Sequence, residues 1–337
     1  MNFSQPVLII GQGIAGSLLS FELYKKNIPF IVMDCSSKNS ASTASGAVLN
    51  PYSGKTEKGV QRRLNMYNAA INTYSEWGKL LDAPILQYCE LISFNEDSKN
   101  ILSTESGLNT FFYKNKIEHI EKVAVVQNET LLKLWRRWLD DNKLLIEEEF
   151  NAELLQSKHG LRYNGKSFSK IVYCNGVAAM EDPIFSKLPF TRNRGDVLIL
   201  EIPGLPEHFI FQVEGVRLIP KGNHIFWCGS NYLWEYDDMK PNKEWEVQTL
   251  DILKRWLKIP FELKNHICAK RPTTAGQIPA IGYHPNYPEI EIFNGLGTKG
   301  YSAGPFWIKD FVAKSFLNEE KSSFQSFLDK HLKVMKA

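Results

Sequence analysis

VLIIGQGIAGSLLSFELYKKNIPFIVMD, residues 7–34, decides how the rest of the chain is read. Residues 7–10 are a short, wholly apolar run, as buried parallel strands are. Gly11, Gly13 and Gly16 follow in the spacing G-x-G-x-x-G. Gly11 permits the tight turn, Gly13 lets backbone approach a pyrophosphate, and Gly16 lets the next helix lie close to the strand. Residues 15–26 read as that helix, with Leu18, Leu19, Phe21 and Leu23 as its apolar contacts. Its N-terminus offers free N–H groups and the positive end of a dipole. Residues 30–33 read as a second strand that ends at Asp34. An acid there accepts hydrogen bonds from ribose hydroxyls and argues against a 2′-phosphate, hence against NADP. The strand before, the helix after and the acid about 20 residues on mark a dinucleotide site. NAD and FAD both remain open at this point.

Bulk composition narrows the class. The chain has 337 residues, 43% hydrophobic and 23% charged, as ordinary globular proteins are. That length suits one large domain or two joined ones. A net charge of +3 points neither to nucleic acid nor to a membrane surface. The five cysteines, Cys35, Cys89, Cys174, Cys228 and Cys268, form no CxxC pair and are odd in number. That argues against a zinc knuckle or a disulfide framework and fits a reducing cytoplasm. The seven histidines lack metal-binding spacing, so no metal site is expected. No signal peptide, bilayer-spanning run or repeat is evident.

Further along, residues 59–81 and 128–139 carry apolar residues at helical spacing, and residues 85–94 read as a strand. The WRRW run at 135–138 alternates basic and aromatic residues. The simpler reading puts both tryptophans in the core and leaves Arg136 and Arg137 solvated. Residues 144–146 and 170–174 read as strands, with Cys174 a core residue. Beyond Gly195 the texture changes to short strands broken by Gly and Pro at hairpin intervals, as in an antiparallel sheet. Residues 244–257 return to helix. The C-terminal part gives a strand, a glycine loop, a helix starting near residues 302–305, and a last amphipathic helix at 324–334.

Four stretches taken together resemble one family: the N-terminal glycine unit, SASTASGAVLNP (40–51), IVYCNG (171–176), and KRPTTAGQIPAIG (270–282) with FNGLGTKGYSAGP (293–305). They resemble the D-amino-acid-oxidase-type FAD oxidoreductases, which include glycine oxidase, sarcosine oxidase and the oxidase half of the enzyme that modifies wobble uridines in tRNA. The resemblance implies an α/β fold, a Rossmann-like FAD-binding domain with an inserted α+β substrate domain built on an antiparallel sheet. It implies FAD-domain pieces at 1–82, 120–188 and 265–337, with the substrate domain at 83–119 and 189–264. It implies FAD, because a nicotinamide enzyme needs neither the C-terminal glycine loop nor a return to the nucleotide domain after the insert.

Residue by residue, the resemblance implies that Gly11, Gly13, Ile14, Ala15 and Gly16 hold the pyrophosphate. Asp34, with Cys35 beside it, takes the adenosine ribose. Ser42 and Thr43 line the pyrophosphate and ribityl chain, and Ala44, Ser45 and Gly46 run beside the flavin ring. Val125 contacts adenine through its backbone, and Asn175 and Gly176 lie near the adenosine end. Gly297, Thr298, Lys299, Gly300 and Tyr301 form the loop at the pyrimidine edge. The sequence departs from the family pattern where Asp34 replaces the commoner Glu, Thr43 a frequent basic residue, and Gly276 the usual Asp. That loop has no Cys or His to tether a flavin, so FAD is expected to bind noncovalently.

Three side chains are candidates for chemistry. Arg271 offers a bidentate fork for a substrate carboxylate, and an interdomain salt bridge is its alternative role. Lys299 either adds positive charge at the flavin edge or is a solvated loop lysine. Tyr52 either lines the substrate pocket or packs. The expected activity is FAD-dependent oxidation of the C–N bond of a small amine or amino acid, with O2 or another acceptor taking the electrons. The competing expectations are a flavin oxidase acting on a modified tRNA nucleoside amine and a non-catalytic flavin-binding protein.

Overall fold

A computed structural model describes residues 5–35, 40–52, 59–95, 107–113, 116–156, 160–236 and 238–317. The expected terminal helix at 324–334 lies outside the described residues. Along the chain, β1 (Val7–Ile10), α1 (Ile14–Lys25), β2 (Phe30–Met33) and β3 (Val48–Leu49) lead into the long α2 (Val60–Leu81). Then come β4 (Leu86–Phe94), β5 (Ile117–Val126), α3 (Asn128–Asp141) and β6 (Leu145–Ile146). A small antiparallel sheet follows, made of β7 (Leu155–Gln156), β8 (Arg162–Tyr163) and β9 (Lys166–Ser167). After β10 (Lys170–Tyr173) run β11 (Phe190–Glu201), β12 (Phe209–Val213), β13 (Val216–Gly222) and β14 (Ile225–Gly229). The chain closes with α4 (Lys243–Trp256), β15 (Glu262–Thr274), β16 (Ala280–His284), β17 (Tyr287–Asn294) and α5 (Gly300–Leu317).

Two sheets carry the architecture. The first has the order β16-β17-β10-β1-β2-β6, parallel except at the β16/β17 hairpin. All four residues of β1 are buried, which is why that strand is apolar throughout instead of alternating. α1 is enclosed as well: every residue from Ile14 to Leu23 is buried. Its neighbours supply an aromatic packing layer in which Phe21 stacks on Trp77 at 4.5 Å and Trp135 meets Trp77 edge-on at 5.1 Å. The Trp135 indole N–H donates to Ser20 Oγ at 2.9 Å, so its one polar atom is satisfied.

The second sheet has the order β15-β11-β14-β13-β12-β4-β5-β3. It is antiparallel as the sequence texture predicts, with one exception: β4 and β12 run parallel. More than a hundred residues separate them, long enough for the crossover that parallel neighbours require. α4 packs through Leu253 and Trp256 into this sheet's core. By strand membership, residues 117–126 and 262–274 belong to this sheet, so boundaries at 120 and 265 fall inside strands. No helix among the described residues is long and apolar enough to cross a membrane.

Candidate functional site

The glycines after β1 are fixed by close contacts. Gly11 has φ +96°, a backbone region that favours glycine. A Cβ on Gly16 would lie 1.8 Å from Gly11 O, and one on Gly11 would lie 2.8 Å from Cys174 O. The start of α1 is thereby pressed onto the ends of β1 and β10. Above it opens a cavity of about 490 Å³. Gly11, Gly13, Ile14, Ala15, Asp34 and Cys35 line one side, as the sequence predicts, with Ser42 and Ser45. Asn175, Gly176, Gly297, Thr298, Gly300 and Tyr301 line the other. The site lies at the carboxyl ends of parallel strands, where open α/β sheets bind nucleotides.

Hydrogen bonds hold this wall in place. Ser42 Oγ accepts from the Ile14 N–H at 2.9 Å, and Ser42 O accepts from the Tyr301 hydroxyl at 3.0 Å. Asn128 Nδ2 donates to Ser42 O and Thr43 O at 3.0 and 2.9 Å. Asn175 Oδ1 is buried without a partner among the described residues, a free acceptor on a residue that lines the cavity. Burial pushes the Cys174 thiol pKa up, as suits a core residue.

Asp34 is more constrained than its sequence context shows. Its Oδ1 accepts from the Gln12 N–H at 2.8 Å, and its Oδ2 accepts from Arg136 Nη1 at 2.7 Å. Arg136 also donates to Glu147 at 2.6 Å and Gln12 Oε1 at 3.1 Å. The expectation that Arg136 is solvated is therefore corrected. Its side chain is 20% exposed and ion-paired, whereas Arg137 is 80% exposed. One step along α3 rotates the side chain by about 100°, enough to separate the two environments.

A second chamber of about 440 Å³ adjoins the first cavity, and Ala41, Ser45, Gly297 and Thr298 line both. The second sheet supplies the chamber's floor. Cross-strand register sets Arg217 opposite Gly229 and Gly229 opposite Val197, so all three side-chain positions share one face. The 44–46 segment lies flat on that face. Trp227 Nε1 donates to Ala44 O at 2.9 Å, and a Cβ on Gly46 would meet Ile219 Cδ1 at 2.6 Å.

Arg271 projects into this chamber. It donates to Asn193 Oδ1 at 2.6 Å, Ser230 Oγ at 2.9 Å and Asn231 O at 3.3 Å, and lies 4.8 Å over the Tyr232 ring. Among the described residues no carboxylate pairs with it, so the salt-bridge alternative does not hold. Burial pulls its pKa below the ordinary arginine value, partly countered by Tyr232 and Asp196. Behind it, Asn231 Nδ2 donates to Asp196 Oδ2 at 3.2 Å. Burial alone would raise the Asp196 pKa, but hydrogen bonds from His266, Asn242, Asn231 and Arg194 hold it down at about 2.

Five expected residues lie elsewhere, the first being Gly16, which packs against Gly11 and lines neither cavity. Lys299 is exposed and lines neither cavity, so its side chain is that of a solvated loop lysine. Tyr52 is 56% exposed and likewise outside both. Thr43 turns its hydroxyl back onto Ser40 O at 3.0 Å. Val125 is buried in β5 opposite Val48, inside the second sheet. The segment after β6, Glu148 to Phe150, lines the cavity. Sequence reasoning missed Gly195, Gln212, Arg217, Trp227 and Ser230, which line the chamber. Residue spacing gives no local signal for them, because register alone brings them together.

The glycine oxidase of Bacillus cereus superposes with a TM-score of 0.78 over 96% of this chain and all of its own, at 13% identity. The chain has the glycine oxidase fold. The enzyme of that name from Geobacillus kaustophilus gives a TM-score of 0.75, 15% identity, and coverage of 94% of this chain and 96% of that one. The L-α-glycerophosphate oxidase of Mycoplasma pneumoniae, solved reduced with FAD bound, gives 0.65 and 16%, covering 94% and 95%. No family model matches the chain. At such identities, the fold is what is shared with these proteins.

Proposed function

We propose that this protein is an FAD-dependent oxidoreductase that oxidises the C–N bond of a small amine bearing a carboxylate, such as an amino acid. One observation carries the reading. A cavity over a dinucleotide-type glycine turn opens, through a shared wall of small residues, onto a chamber holding an arginine without a carboxylate partner among the described residues. The pyrophosphate would lie on Gly11 to Ala15 at the N-terminus of α1. The adenosine end would face Asp34, Cys35, Asn175 and the 148–150 segment. The ring would lie along residues 44–46, against Gly297 and Thr298. The unpaired Asn175 oxygen and the crowded glycines fit such a ligand. When bound, FAD supplies a hydride acceptor, and the protein's part is binding, orientation and electrostatics.

The chain's own residues do the following. Arg271 takes the substrate carboxylate by two parallel N–H···O bonds, and Asn193 and Ser230 fix the guanidinium plane. Trp227 and Ile219 supply an apolar part of the floor. Among the described residues no Asp, Glu or His lines the chamber, so this reading calls on no protein base and takes the amine in its neutral form. The N-terminal end of α5, at Gly300, favours negative charge on the cavity side. Electrons pass on to O2 or another acceptor. A reducing cytoplasm suits the five free cysteines.

The test is anaerobic. Purified protein should be yellow, should release FAD on denaturation, and should bleach when mixed with the right amine or amino acid. A colourless protein that binds NAD in calorimetry would overturn the reading. So would a flavoprotein that no amine or amino acid in a broad panel reduces.

A further inference from the structure

The chamber holds a second arginine that the proposed chemistry does not use. Arg217 projects from β13 into the same space as Arg271. Its Nε donates to Gln212 Oε1 at 2.6 Å, and Gln212 is its register partner on β12. A neutral amide orients the guanidinium without discharging it. Among the described residues no carboxylate lies within ion-pairing distance of Arg217, and no acidic side chain lines the chamber. Two guanidinium groups thus face one cavity with no counter-ion among the described residues.

Their separation matters. Arg271 lies across Gly195 of β11, while Arg217 is on β13, and β14 runs between those two strands. Two strand spacings amount to about 10 Å across the sheet. One carboxylate is too small to be gripped by both, so each would hold its own. A partly buried cation with no partner is costly, and an anionic ligand group is what offsets it.

Resting on the reading above, we propose that the substrate is an amine carrying two carboxylates, one taken by Arg271 and the other by Arg217 with Gln212. Dicarboxylic amino acids and N-carboxymethyl amino acids belong to this class. Glycine and sarcosine do not, since they leave Arg217 unfilled.

The test uses the yellow holoprotein and two unreactive ligands, glutarate and butyrate, whose binding is followed by calorimetry. Glutarate should bind roughly 10- to 100-fold more tightly than butyrate, as one extra charge-assisted contact predicts. In R217Q the ratio should collapse to near one. In R271Q both ligands should weaken, and the ratio should be kept within a few-fold. R217K should keep part of the preference, and flavin content with melting temperature separates a folding defect from a binding defect. If butyrate binds in an Arg271-dependent way but glutarate binds no better, the second anion site is overturned and the amine-oxidation reading stands. If the ratio survives R217Q, the site is likewise overturned. If neither ligand binds and no amine bleaches the flavin, both readings fall together.

Discussion

A Cβ on Gly195 would lie 1.9 Å from Arg271 Nη2 and 2.3 Å from its Cζ. The guanidinium therefore occupies the space that any other residue at 195 would fill. The atoms in conflict are the end of a long side chain, so the sheet would keep its register and the arginine would move. G195A should leave flavin content and melting temperature nearly unchanged and raise KM for carboxylated substrates on the order of 10-fold or more. KM values for amino acids in wild type and G195A check this, and an unchanged value would show that the guanidinium has a second productive position.

Arg271→Ala should weaken carboxylated substrates roughly 30-fold or more, while amines lacking a carboxylate lose little. Arg271→Lys keeps the charge and loses the fork, so it should fall between the two. The readout is the ratio of KM values across the two substrate types. Equal losses for both types would make the arginine structural.

Arg136 touches the cavity only through Asp34. Without it, the carboxylate keeps the Gln12 N–H but loses its charged partner, and Glu147 is left beside it. R136A should raise the Kd for FAD by about 5-fold, near 1 kcal/mol for a partly exposed pair. Ultrafiltration of released flavin measures it, and turnover at saturating FAD should stay close to normal.

Acid stability should depend on Asp196. Its pKa is held at about 2, below the 3.8 of a free side chain. A depressed carboxyl stabilises the fold above the unfolded pKa, and that contribution fades as pH falls from 3.8 towards 2. It is worth on the order of 2 kcal/mol. D196N should start less stable and show a shallower loss across that acid window in chemical denaturation.

Alkaline stability should depend on Lys221, with a slope of the same sign. Burial pulls its pKa down from 10.5 to about 8, with Glu129 opposing. Its Nζ donates to Asn128 Oδ1 at 2.8 Å, beneath the 42–46 segment. Below pH 8 the folded protein carries a buried charge. Between 8 and 10.5 the unfolded chain binds the extra proton, so stability rises with pH. The stability of wild type relative to Lys221→Met should therefore improve over that range in melting experiments, and a constant difference would contradict it.

The nucleotide half of the molecule was legible because its chemistry lies on consecutive residues. From Val7 to Asp34 the strand, the glycines, the helix and the acid each leave a local mark, and the structure puts them around one cavity. The chamber was not legible in the same way. Gly195, Arg217, Trp227 and Arg271 come from different strands, and only pairing register brings them to one face. Arg271 could be singled out for its chemistry, but Arg217 carried no comparable signal. Val125 lies in β5 and is not among the residues that line the cavity. The acidic run after β6 lines the cavity, since β6 pairs in parallel with β2, so that both end on the side where the cavity opens. Lys299 shows that a place in the right loop does not fix where a side chain points.

The wall common to the two cavities sets the traffic through the molecule. Exposed Cys35 and Glu149 line one space and exposed Tyr232 the other, and among the described residues the small side chains of Ala41, Ser45, Gly297 and Thr298 line both. A long ligand seated in the first space can present its far end to the second while blocking neither outer mouth. Small molecules can then come and go by their own door. On the proposed function, a dinucleotide seated in the first space would stay in place while substrates exchange in the second, so one loading event would serve many turnovers.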